Sequence, residues 1–196
     1  SIDVRVQKAA EDALDALDDS GAVVAINPQN GEVLALVSQP GYDPNQFVGG
    51  IDPDQYAKLN NNPAQPLFNR VLRGQYPPGS TIKPFMALAA LNYGVMDPFK
   101  DLLCPGYFML PSNPNPYRDW KRGGHGEIDM SQAITESCDV YFYTVAMKLG
   151  IQHLHDYLVN FGFGKPTGVD LMGEQDVVVP SPAWKRKYRH QPWYLG

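Results

Sequence analysis

Apolar positions recur at helical spacing in the first stretch, VRVQKAAEDALDALDD, where Val6, Ala9, Ala10, Ala13, Leu14 and Leu17 share a face and acids occupy the other. This predicts an amphipathic helix lying on another element. The period then changes to two β-branched runs in GAVVAINPQNGEVLALVS, joined by Asn27-Pro28-Gln29-Asn30-Gly31, whose Asn-Gly step favours positive backbone dihedrals and an antiparallel hairpin. From QPGYDPNQF to about residue 75, Pro, Asn and Gly dominate and only DPDQYAKL shows a helical patch, so this stretch reads as surface connection. Residues 80 to 93 read as an apolar helix entered through the turn YPPG. Residues 104 to 129 carry four prolines and several glycines and read as one long irregular segment, a length that in a compact domain implies function or a tether. Ser131 is expected to cap a helix ending at Gly150, and a further helix, IQHLHDYLVNFG, to end at Gly162.

Composition adds limits. The chain has 196 residues, 43% of them hydrophobic and 19% charged, enough for one sizeable domain. No apolar run is long enough to span a bilayer and no export signal is visible; the abrupt opening SIDVRVQ reads as an excision from a longer protein. A net charge of −5 argues against nucleic acid as a partner, and the one basic run, WKRKYR at 184–189, reads as a solvated loop. His153 and His155 read as surface residues.

Candidate chemistry begins with Ser80 and Lys83. Residues three apart on a helix share a face, so the hydroxyl and the amine can meet as nucleophile and base. The flanking Ile82, Pro84, Phe85 and Met86 would help desolvate the amine, and the helix N-terminus would favour a developing oxyanion. A capped helix with a surface lysine shows the same pair. A second element, ESCDVYF, sets Ser137 and Asp139 at a junction between helical segments, where short polar side chains favour a turn.

A Ser-x-x-Lys pair followed by a Ser-x-Asn-type triplet marks penicillin-binding proteins and class A β-lactamases. The blocks GAVVAINPQNGEVLALVSQPGYDPNQF, NRVLRGQYPPGSTIKPF, ITESCDVYFYTVAMKLG and FGFGKPTGVDLMGE together resemble the transpeptidase domain of class B penicillin-binding proteins over nearly the whole chain, and the Ser-x-Asp form of the second motif resembles their penicillin-binding protein 2 branch in Gram-negative rods. The resemblance implies an α/β (α+β) fold, an antiparallel sheet covered by helices, with residues 1–40 in the sheet subdomain and about 76–160 in a helical one. It implies Ser80 as acylated nucleophile, Lys83 as general base, and Ser137 with Asp139 as a proton-relaying, substrate-contacting second motif. The Lys-Ser/Thr-Gly strand of such sites is not found. KPTG at 165–168 has an inserted Pro166 within a block that precedes that strand, so it is assigned no role, and the domain is expected to be partial, with little activity on its own.

Cys104, Asp119, His125 and Cys138 bracket the irregular segment. Four such donors suit tetrahedral zinc, while two cysteines also suit a disulfide or free thiols, and a histidine between glycines also suits a solvated loop. Penicillin-binding protein 2 relatives carry a zinc site here, so the resemblance implies a structural zinc with four protein ligands and no organic cofactor.

The function implied is peptidoglycan D,D-transpeptidation on D-Ala-D-Ala stem peptides, with β-lactams as acylating inhibitors. A β-lactam sensor without turnover and a serine β-lactamase are the alternatives, although no Glu-bearing loop that would activate water is evident. By the same resemblance the parent protein sits at the periplasmic face of the bacterial inner membrane, its anchor outside this chain. Its partners there would be a membrane glycan polymerase and other elongation proteins.

Overall fold

A computed structural model describes residues 2–111 and 113–193. The chain divides into two compact units, Ser1–Gln75 with Val169–Gln175, and Tyr76–Gly168 with the segment from Asp176 onward.

In the first unit, helix α1 (Val4–Asp15) starts at Asp3, whose side chain accepts from Arg5 N. Leu17 falls beyond its end and is largely exposed. The hairpin forms as predicted: β1 (Gly21–Ile26) pairs antiparallel with β2 (Val33–Gln39), Val23 opposite Val37, and Gly31 takes the positive φ of the turn. What α1 covers is β2: the Gln7 amide accepts from Leu36 N and donates to Leu36 O, at 2.8 and 3.2 Å, as a neighbouring strand would. The connection that follows holds α2 (Pro53–Asn60) and α3 (Arg70–Arg73). It is more ordered than a surface loop because buried Arg70 donates to the carbonyls of Ala64, Gln65 and Phe68.

In the second unit, the predicted helix at 80–93 is a 3₁₀ turn, Gly79–Ile82, running into α4 (Lys83–Asn92). Pro84 fits the first turn of α4, where its missing N–H leaves no bond unmade. The segment predicted irregular instead forms two short antiparallel ladders, β3 (Leu102–Cys104) with β6 (Gly126–Ile128) and β4 (Tyr107–Phe108) with β5 (Tyr117–Arg118). Strands of two or three residues are too short to show a period. Helix α5 (Met130–Thr135) is capped by Asp129, not Ser131, because Gln132 closes a capping box with it. Helix α6 (Asp139–Asn160) is interrupted at Gly150, whose φ of 68° and ψ of 157° separate the two helices predicted there. The basic run is not a loop but helix α7 (Pro182–Arg189), capped by Ser181 with Pro at its first position.

The core of this unit lies where Met86, Ala87, Ala89 and Ala90 of α4 meet Val140, Tyr141, Val145 and Leu149 of α6. Alanines on the contacting face let the helix backbones approach closely. Among the described residues no helix is long and apolar enough to cross a membrane.

Candidate active site and metal centre

Ser80 lies in the 3₁₀ turn and Lys83 opens α4, whose first N–H bonds Ser80 O. Side chains three apart eclipse in a 3₁₀ turn, a tighter alignment than the α-helical spacing predicted. Their environments differ sharply. Ser80 is exposed, whereas Lys83 is 7% exposed, its amine 5.7 Å from the centre of the buried Phe142 ring.

The amine reaches the second motif. Lys83 Nζ donates to Ser137 O at 2.8 Å, Ser137 Oγ at 3.1 Å and Asp139 Oδ1 at 2.6 Å, three acceptors for the three N–H bonds of an ammonium. Ser137 Oγ in turn lies 3.0 Å from Ser80 Oγ. All four predicted residues are thus brought together, with Ser80 joined to Lys83 through Ser137.

The turn that presents Ser137 is strained. With φ of 53°, Ser137 sits in the left-handed region, which costs an L-residue roughly 1–2 kcal/mol and needs holding from outside. Lys83 holds the Ser137 carbonyl directly, and two further side chains hold the flanks. Asp119 Oδ2 accepts from Val140 N at 3.1 Å, and Trp120 Nε1 donates to Glu136 O at 3.0 Å.

Asp119 also belongs to the second cluster. Cys104 Sγ lies 3.7 Å and Cys138 Sγ 3.4 Å from Asp119 Oδ2, and His125 Nδ1 lies 3.6 Å from both Cys104 Sγ and Asp119 Oδ1. The two cysteines are free thiols, with no disulfide between them, and all four donor atoms fall within 4.8 Å of one another. A tetrahedral metal with zinc's bond lengths would set its ligands roughly 3.3–3.8 Å apart, so the four contacts named above match that size and the donor types that chemistry. The cluster is closed: both cysteines and Asp119 are buried, and the His125 side chain is 2% exposed with Nε2 lacking a partner.

The local charges follow from this burial. Desolvation opposes the ionised Asp119, but backbone N–H bonds from Val140 and Lys121 outweigh it and hold the carboxyl below its ordinary range. Burial pushes the Cys138 thiol well up. A metal would have to displace that proton, since thiolate is the ligand.

Glycine permits the cluster to close. A Cβ on Gly124 would lie 2.0 Å from Cys104 O, and one on Gly106 would lie 2.6 Å from Arg122 O. The loops carrying Cys104 and His125 therefore meet backbone to backbone, with His125 N donating to Cys104 O at 3.1 Å. Reading the sequence missed Gly106, Gly124 and Trp120. The Gly-bearing turns Cys-Pro-Gly and Gly-Gly-His-Gly beside two donors were the available signal; nothing marked Trp120. His153 is exposed but stacks on Tyr93 at 4.3 Å, and His155 is half-buried, its Nδ1 3.2 Å from Pro180 O, so neither histidine joins the cluster.

A family model described as the penicillin-binding protein transpeptidase domain matches residues 21–190. Peptidoglycan D,D-transpeptidase MrdA of Acinetobacter baumannii is 48% identical over 90% of this chain and 26% of its own length; that of Escherichia coli K12 is 43% identical over 100% and 31%. The crystal structure of Pseudomonas aeruginosa PBP2 in complex with WCK 5153 superposes with a TM-score of 0.94 at 52% identity, covering 100% of this chain and 42% of that one. Helicobacter pylori PBP2, solved in complex with MreC, gives a TM-score of 0.93 at 37% identity over 100% of this chain and 36% of its own. The chain spans between a quarter and a third of the length of these curated relatives. The match over most of the chain, in sequence and in fold, shows that it belongs to the penicillin-binding protein transpeptidase domain family.

Proposed function

We propose that this chain carries the serine-acylating half of a peptidoglycan D,D-transpeptidase that works at the periplasmic face of the inner membrane during cell-wall elongation. The observation that carries the reading is the chain of contacts from Lys83 Nζ through Ser137 Oγ to Ser80 Oγ, with Ser80 open to solvent. Ser80 Oγ attacks the carbonyl of the penultimate D-Ala of a stem peptide. Its proton passes by way of Ser137 toward Lys83, which first releases a proton of its own and turns from its three acceptors. The C–N bond to the terminal D-Ala breaks, the leaving amine takes a proton back along the same path, and the acyl group stays on Ser80. An amine of a second stem then attacks the ester, gives up a proton and restores the hydroxyl. A β-lactam presents an amide to the same oxygen, and opening of its ring leaves the acyl-enzyme.

Cys104, Asp119, His125 and Cys138 would hold zinc, which would supply cross-linking of the segment and no reactive water, since four protein ligands leave no open position. Cys138 lies between Ser137 and Asp139, so holding the thiolate also holds the second motif. The H. pylori PBP2 complex with MreC supports a partner of that kind for this chain's parent protein, and a membrane glycan polymerase is proposed beside it.

The test is labelling of the full-length protein with a fluorescent penicillin. Stable labelling is expected, with complete loss in Ser80→Ala, and stem-peptide cross-linking by the wild type separates a transpeptidase from a sensor. A label that persists in Ser80→Ala, or one that hydrolyses within seconds as in a β-lactamase, would overturn the assignment.

A further inference from the structure

We infer that Trp120 is a positioning residue for the second motif, its indole N–H holding the Glu136 carbonyl so that Ser137 stands between Ser80 and Lys83. This rests on the reading of Ser80 as the acylated nucleophile. Asp119 and Trp120 are adjacent, yet they grip opposite sides of the same turn. Asp119 takes the Val140 N–H at 3.1 Å, and Trp120 donates to Glu136 O at 3.0 Å. Between those points lie Ser137, Cys138 and Asp139.

The grip meets a need on each side. Glu136 is the C-cap of α5, so its carbonyl is among those a helix end leaves without an internal partner. Ser137 follows at once, in a left-handed conformation that relaxes unless both flanks are fixed. The Ser137 hydroxyl has little tolerance, being 3.1 Å from Lys83 Nζ and 3.0 Å from Ser80 Oγ; a small backbone rotation would lengthen both contacts. Burial does not explain the tryptophan, because Trp120 is 61% exposed. What a tryptophan offers here and a phenylalanine does not is the N–H. Its edge contact with His125, 5.5 Å between ring centres, steers the indole from the cluster side.

The experiment compares the full-length wild type with Trp120→Phe, which keeps an aromatic ring and removes the donor. The readouts are the saturation kinetics of penicillin acylation, bound zinc, and amide hydrogen exchange over residues 136–140. Loss of one hydrogen bond is expected to lower the maximal acylation rate about two- to tenfold. The half-saturating concentration and zinc content should stay as in the wild type, and residues 136–140 should exchange faster. A raised half-saturating concentration with an unchanged maximal rate would overturn the inference and make Trp120 a ligand platform. Zinc loss parallel to the rate loss would also overturn it, because the effect would then pass through His125. Should the wild type take no label at all, the acylation reading fails by itself. Exchange then decides the clamp: faster over 136–140 in Trp120→Phe upholds it, and unchanged exchange overturns it.

Discussion

The two clusters meet in one tripeptide and are built on opposite plans. Ser137 and Asp139 send their side chains to Lys83, beside exposed Ser80; Cys138, between them, sends its thiol into a pocket of buried donors. On the first side the partners are exchangeable, for the Lys83 amine has three acceptors and the Ser137 hydroxyl can give or take a proton. On the second every donor is held through the backbone: Asp119 by two N–H bonds, Cys138 as the cap of α6 accepting from Tyr141 N, and Cys104 and His125 by the glycine-packed approach of their two segments. Proton transfer needs groups that can change partners, and holding a strained turn needs groups that cannot. Putting both in consecutive residues lets the rigid side define where the mobile side moves.

Substitutions on the two sides should therefore fail differently. The largest effect is expected from Lys83→Ala, which should slow penicillin acylation by about 10²–10⁴-fold through loss of the proposed base while zinc content stays near wild type; melting should fall as well, because a buried amine with three acceptors is lost, and stopped-flow labelling beside metal analysis checks this. Cys104→Ser should invert the pattern. Bound zinc should fall toward zero, melting should drop by about 5–10 °C, and acylation should weaken only as a consequence; metal analysis and calorimetry would show it, and full zinc retention would break the comparison. The smallest effect is expected from Asp129→Ala, which removes the capping box of α5 on neither side. It should cost about 1 kcal/mol, seen as a melting shift of about 2–4 °C with unchanged acylation.

How far these features could be read beforehand depended on the range of their causes. The hairpin is signalled by neighbours in sequence, Asn30-Gly31 between β-branched runs, and it forms there. Ser80 with Lys83 is a spacing, and Ser137 with Asp139 a second one; the family pattern joined them, but that the amine bonds Ser137 and Asp139 rather than Ser80 follows from packing of α4 on α6. The ladders within 102–128 were hidden because each is set by a partner and not by a period. Two local signals were present but not used: Asp129-x-x-Gln132 for the capping box, and Ser181-Pro182 for the start of α7. Trp120 was beyond reach, since its partner is a backbone carbonyl 16 residues away.

The position of Cys138 at the head of α6 has an electrostatic consequence. The N-terminus of a helix carries a partial positive charge, a poor place for a divalent cation. Two thiolates and a carboxylate carry three negative charges, so with zinc and a neutral His125 the group would sum to about −1. Seen from the helix, the bound metal would then be an anion. A second histidine in place of Asp119 would leave the group neutral and remove that attraction, so with zinc bound the carboxylate would serve the helix end as much as the ion.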